Sequence, residues 1–272
     1  GKDVAKKNYY AFNTPFKFVN YLKMAGFDIL NVANNHSLDF GEPGLSETIF
    51  NLQINDIYFT GLKDYLHIRQ VDGVRVGFIG FYWTDYFNNY KDKEGVKKII
   101  SMGKEKVDIL VVTFHGGSEG AKALHIKNED EFMGNSNRGN VIEFGHLAVD
   151  YGADLVVGHG PHVVRAMEFY RGKLICYSLG NFFTYGMFNM KYPRNISLVL
   201  EVILDENGNF ISGTVLPVIL KKGGIPFPDD RGRVIELLRE LSAGDIDKNP
   251  LKIYRDGRIE LGGKNEDNKE EK

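Results

Sequence analysis

Residues 27–44 read FDILNVANNHSLDFGEPG. The aliphatic run Ile29, Leu30 and Val32 predicts a buried strand over 27–33. It ends on two amides and an imidazole, Asn34-Asn35-His36, followed by Asp39 and a glycine. A helix over 43–54, with Leu45, Ile49 and Leu52 on one face, follows. Nothing about strand stability calls for such residues there. In open α/β sheets, however, the ligand crevice lies beyond the carboxyl ends of the strands.

Outward from that stretch, helices and strands alternate. Thr14-Pro15 offers a capping hydroxyl and a first-turn proline for a helix that Gly26 stops. Downstream come a strand over 71–82 containing the turn Asp72-Gly73, a helix over 94–106 and an apolar strand over 107–114. A polar excursion over 115–137 has the character of a lid or binding loop. A helix over 138–151 stops at Gly152, and strands follow over 154–157 and 174–178. Residues 195–220 read as two strands around the hairpin signal Asn207-Gly208. A helix over 231–242 precedes an acidic, lysine-rich tail expected to be disordered. The alternation implies an α/β fold with a largely parallel sheet and an antiparallel addition. One domain over 1–245 and a C-terminal extension over 246–272 are expected.

Composition narrows the functional classes. With 34 basic against 36 acidic residues, a net charge of −2 gives no electrostatic footprint for nucleic acid. The single cysteine, Cys176, sits in an apolar run as a buried thiol and excludes an internal disulfide. No apolar run approaches the roughly 18 residues of a membrane span, and no signal peptide opens the chain. Gly1-Lys2-Asp3 lacks an initiator Met, which points to a segment upstream.

Three more strands end like the first. Strand 107–114 runs into His115-Gly116-Gly117, strand 154–157 into Gly158-His159-Gly160-Pro161-His162, and strand 174–178 into Leu179-Gly180-Asn181. Parallel strands bring His36, His115, His159 and His162 to one rim. Neutral imidazoles suit Zn, Fe or Mn, and an amide oxygen serves a harder ion. His36 has an alternative role as general acid for a leaving group. Asp39 either orients His36 or caps the next helix. Glu119, Arg138 and Arg165 are candidates for contact with an anionic substrate or for solvated, salt-bridged surface positions. His67 is read as a loop residue, His125 as a solvated loop residue and His146 as a helix residue held by its apolar face.

The segments AGFDILNVANNHSLDFGEPGLSET, TFHGGSEG and RGNVIEFGHLAVDYGADLVVGHGPHVVRAMEFYRGKLICYSLGNF resemble the bacterial capsule synthesis family associated with poly-γ-glutamate. That family is similar in fold to calcineurin-like metallophosphoesterases, and the likeness covers roughly residues 12–220. The resemblance implies a four-layer αββα sandwich and a site for two divalent metal ions. By motif, Asn35 matches the amide ligand, His36 the adjacent catalytic histidine and His115 the isolated metal-ligand histidine. His159 and His162 resemble the terminal histidine pair, at wider spacing. Asn181 lines the site without ligating metal, and Asn34 is a further candidate for substrate contact.

The resemblance also implies an upstream Gly-Asp strand and an Asn-Leu-Glu segment that supply metal-bridging carboxylates. This chain starts downstream of both, so weak metal binding is expected. Either an upstream segment completes the site and covers the sheet edge, or this is a non-catalytic version. The implied function is metal-dependent hydrolysis of a phosphoester or a γ-glutamyl-type amide bond at the extracytoplasmic face of the cell envelope. The rival is a non-enzymatic accessory that holds an anionic capsule polymer. Other capsule-assembly proteins are implied partners, and a membrane is engaged only through the upstream segment.

Overall fold

A computed structural model describes residues 11–184, 186 and 189–262. The expectations for Gly1-Lys2-Asp3 and for the tail past 262 fall outside these described residues. In chain order the elements are α1 (Val19–Met24), β1 (Ile29–Asn31), α2 (Gly41–Gln53), β2 (Tyr58–Thr60), β3 (His67–Val71), β4 (Val74–Phe81) and α3 (Lys93–Lys104). There follow β5 (Ile109–His115), β6 (Glu131–Met133), β7 (Ser136–Gly139), α4 (Val141–Asp150), β8 (Leu155–His159), β9 (Met167–Tyr170) and β10 (Lys173–Cys176). The chain continues with β11 (Ile196–Leu204), β12 (Phe210–Lys221), β13 (Ile225–Pro228), α5 (Arg233–Gly244), β14 (Leu251–Ile253) and β15 (Arg258–Leu261).

The α/β expectation holds, with two larger sheets. A six-stranded sheet runs β3-β4-β5-β8-β10-β9 and is parallel from β4 through β10, with antiparallel edges. A five-stranded antiparallel sheet runs β11-β12-β15-β14, with β13 beside β12. Helices α3 and α4 pack together over β4, β5 and β8, while α5 lies against β9, β11, β12 and β14. One continuous apolar core joins the two sheets, from Ile79, Phe114 and Val156 to Ile196, Val215, Leu238 and Ile259.

Local chemistry sets the boundaries. Asp92 caps α3 through Gly95 N–H, and Asn140 caps α4 by accepting from Ile142 and Glu143. That cap delays α4 until Val141, so Arg138, expected in the helix, ends the hairpin β6–β7 instead. Thr14 does not cap: a 3-10 turn over Phe16–Phe18 begins behind Pro15 with no side-chain bond. His67 is not in a loop but opens β3, its ring 4.6 Å from that of Tyr58. The polar excursion carries structure of its own, and β9 returns onto β10 through Arg171-Gly172, both at positive φ. Past residue 245, β15 pairs with β12 at Gly213↔Ile259 and Thr214↔Arg258.

β1 and β2 form a small parallel pair of their own. Thr60 Oγ1 donates to the Phe78 carbonyl at 3.0 Å, tying this pair to β4. The joint is close: a Cβ on Gly80 would stand 2.6 Å from Gly61 Cα and 2.5 Å from Asn31 Oδ1. Only glycine permits that approach. Gly80→Ala is expected to cost about 1–3 kcal/mol, typical of overpacking, read as a lower urea midpoint.

Candidate functional site

Parallel pairing of β5 with β8 puts His115 in register with His159, so the two strands end on adjacent imidazoles. Gly160 keeps the turn after β8 thin, since a Cβ there would meet the Gly116 carbonyl at 2.7 Å. His162 then takes a left-handed conformation, φ 62°. Asn181 fixes it: its amide nitrogen donates to the His162 and Arg194 carbonyls, so its Oδ1 accepts from His162 Nδ1 at 2.8 Å. His162 Nε2 stands 4.0 Å from Glu119.

His36 enters from the end of β1. Asn34 Oδ1 accepts from the His36 backbone N–H at 2.8 Å, shaping the bend. Asp39 does not cap α2. Its Oδ2 accepts from His36 Nδ1 at 2.9 Å and from Phe12 N–H at 2.9 Å, which leaves His36 Nε2 for other work. The Phe12 ring meets the imidazole edge-on at 4.4 Å. The Asn35 side chain makes no hydrogen bond among the described residues.

His159, His162, Arg138 and His36 lie close enough to His115 to act on its protonation. Burial lowers the His115 pKa to about 3, and these neighbouring basic groups lower it further. Burial also lowers His159, although its ring keeps an exposed face at the pocket mouth. Both are neutral imidazoles near neutral pH. His115 Nε2 is buried and has no hydrogen-bond partner among the described residues. An orphaned buried nitrogen is costly unless something binds it.

Arg138 lines the same pocket. Its guanidinium lies 3.7 Å from the Trp83 ring and 3.2 Å from Glu119 Oε1, and its Nε is buried without a partner. The Tyr82 and Trp83 rings each stand 6.0 Å from the His115 ring. Tyr90 OH bonds the Arg138 carbonyl and receives Gly117 N–H at 3.2 Å. These aromatic residues were missed in the sequence, although β4 is another parallel strand of the sheet and Tyr82-Trp83 follow its carboxyl end.

Arg165 corrects an expectation. It is neither a surface residue nor free to grip a substrate: it is wholly buried and bonds Glu131 twice, at 2.8 and 2.7 Å. Its Nε donates to the Ala123 carbonyl at 2.7 Å, and Glu131 in turn accepts from Ser118 N–H and Oγ–H. Arg165 therefore holds the excursion that carries Glu119. His125 and His146 lie outside the pocket. The first pairs with Asp245 at 2.8 Å, while the second bonds Glu168 at 2.9 Å and stacks on Tyr170.

For a divalent metal, the donors suit in chemistry and fall short in number. Two neutral imidazoles, one with an orphaned Nε2, match a borderline cation. Among the described residues, however, no group of three or more His, Cys, Asp and Glu is placed to hold one.

The fold and pocket define an α/β protein with histidines gathered at parallel strand ends. Residues 1–185 match the model of the bacterial capsule synthesis protein PGA_cap, and the chain belongs to this family. It is 31% identical to "Capsule biosynthesis protein CapA" of Bacillus anthracis, covering 89% of this chain and 60% of that protein. It is 32% identical to "PGA biosynthesis protein CapA" of Bacillus subtilis (strain 168), over 70% of this chain and 50% of that protein. The chain thus spans about half to three-fifths of these relatives' lengths. A candidate 5′-nucleotidase from Staphylococcus aureus, in complex with α-ketoglutarate, aligns with 17% identity and a TM-score of 0.47. That alignment covers 83% of this chain and 44% of that one.

Two outcomes are expected. Arg165→Gln leaves Glu131 buried without its cation and should cost about 3–5 kcal/mol, measured by urea unfolding. His115 protonates near 3 in the folded protein against an ordinary value of 6.5. The unfolded state therefore binds more protons between those values, and stability falls as pH drops through that window. In chelator-treated protein, His115→Asn should flatten that decline.

Proposed function

We propose that the histidine pocket is a hydrolytic site in poly-glutamate capsule biosynthesis at the cell envelope, acting on a phosphoester or a γ-glutamyl-type amide. The observation that carries this reading is the orphaned His115 Nε2, set among His36, His159, His162 and Arg138. The names of the Bacillus relatives supply the biological setting. Among the described residues no helix is long and apolar enough to cross a membrane.

His115 and His159, with the Asn35 amide, would hold a divalent Mn, Zn or Fe ion. When bound, such an ion polarises a phosphoryl or carbonyl oxygen and acidifies water. The chain's own residues do the rest. Arg138, over the Trp83 ring, binds the anionic group of the substrate, and Glu119 limits where its guanidinium can swing. Asp39 holds the Nδ1 proton of His36, so Nε2 is the atom that delivers a proton to the leaving group. Asn181 holds His162 in its turn.

The shortage of grouped donors favours a second reading, in which the pocket binds an anionic polymer or a capsule-assembly partner without cleaving it. One experiment separates the two. Purified protein is dialysed against chelator, reloaded with Mn, Zn or Fe, and assayed for bound metal, for a generic phosphodiester and for poly-γ-glutamate cleavage. Hydrolysis should need metal, fall about 100-fold or more in His115→Ala, and fall about 100-fold in kcat in His36→Asn, the scale of a lost general acid. Activity unchanged in both variants would remove these roles. Polymer binding that persists in chelator, with no cleavage under any metal, would establish the accessory reading.

A further inference from the structure

Far along the chain from the histidines, α5 and the β14–β15 hairpin enclose a cleft of about 890 Å³. This falls within the size range of ligand sites. Its lining carries Arg239, Lys252, Arg255 and Arg258 against a single carboxylate, Asp256. That carboxylate is already committed to Arg258 at 2.8 Å, as is Glu260 at 3.1 Å. Among the described residues, Arg239, Lys252 and Arg255 have no ion-pair partner. Three cations without an ion-pair partner among the described residues stand out in one concavity of a chain whose net charge is −2.

The cleft walls are built. The Asn249 amide donates to the Met167 and Ser242 carbonyls at 2.8 and 3.2 Å, and its Oδ1 accepts from Phe169 and Leu251 N–H. These bonds pin α5, β9 and β14 together. Arg258 stacks on Tyr254, whose hydroxyl donates to Glu260 at 2.9 Å, so the hairpin side is held as well. The same lining carries apolar surface from Ala243, Leu251 and Ile253.

We infer that this cleft is a second binding site, for a polycarboxylate chain. Guanidinium forks pair with carboxylates in two-point contacts. Apolar surface in the same cleft suits the methylene spacers that separate carboxylates along a polyglutamate. The choice of polymer rests on the reading of the histidine pocket given above; the cleft's cationic character does not. The site lies beyond residues 1–185, the stretch that matches the family model. It adds a holding point for polymer away from the histidine pocket.

The test is equilibrium binding of fluorescently labelled high-molecular-weight poly-γ-glutamate to the whole chain, at several salt concentrations. Wild-type protein should bind with an affinity that falls as salt rises. The double variant Arg239→Gln/Arg255→Gln changes only exposed side chains, and should bind roughly tenfold more weakly with a shallower salt dependence. Its cleavage of a small phosphodiester should be unchanged. Polymer binding unaffected by the double variant but lost in His115→Ala overturns the second site and leaves the histidine reading standing. Weakened binding in the double variant with no hydrolysis in any sample supports the cleft and counts against the histidine reading alone. Inorganic polyphosphate held as tightly through the same arginines overturns the carboxylate assignment.

Discussion

The backbone pairing of β5 with β8 is the constraint on which the rest depends. Parallel register places His115 opposite His159 with no freedom to slide, because a one-residue slip would turn every buried side chain of both strands to the wrong face. Val112, Phe114 and Val156 are wholly buried and enforce that register. The two imidazoles are thus brought together by the hydrophobic pattern of strands that need them for nothing else. Core packing and site geometry are one fact seen from two ends.

Arg138 is the fixed cation of the pocket that results, and the carboxylates within reach are already engaged, Asp39 by His36 and Glu119 by Arg138. An anion entering there meets the Arg138 guanidinium. A metal cation entering there meets the neutral imidazoles of His115 and His159 and must overcome the field of that arginine. This opposition sets the two functional readings against each other in physical terms, and direct measurement of bound metal decides between them.

Much of this was legible in the sequence, for identifiable reasons. Strand ends carrying His36, His115, His159 and Asn181 stood out because glycine and imidazole interrupt aliphatic runs, and the strand-end rule then gathers them. Trp83 escaped because β4 ends in aromatic residues that look like core, and only the fold brings the Arg138 guanidinium to 3.7 Å from that ring. Arg165 was misread because a sequence displays charge and conceals burial. Its partner Glu131 lies 34 residues away, in a stretch read as loop. The strands β9, β14 and β15 are three or four residues long and carry too little periodicity to declare themselves. The role of Asp39 stayed open until geometry showed its carboxylate turned toward His36.

The excursion between β5 and α4 is tied down along its length. Arg165 holds Glu131, Asp245 receives His125 and the Ile126 N–H, Gly120 bonds the Pro161 carbonyl, and Asn140 bonds Asn128. A segment so anchored loses its conformational entropy when the protein folds. Glu119 and Arg138 therefore meet an incoming molecule already in place, and little of the association free energy goes into ordering them. Recognition at this wall is a matter of shape and charge prepared in advance, so ligands should arrive without slow rearrangement.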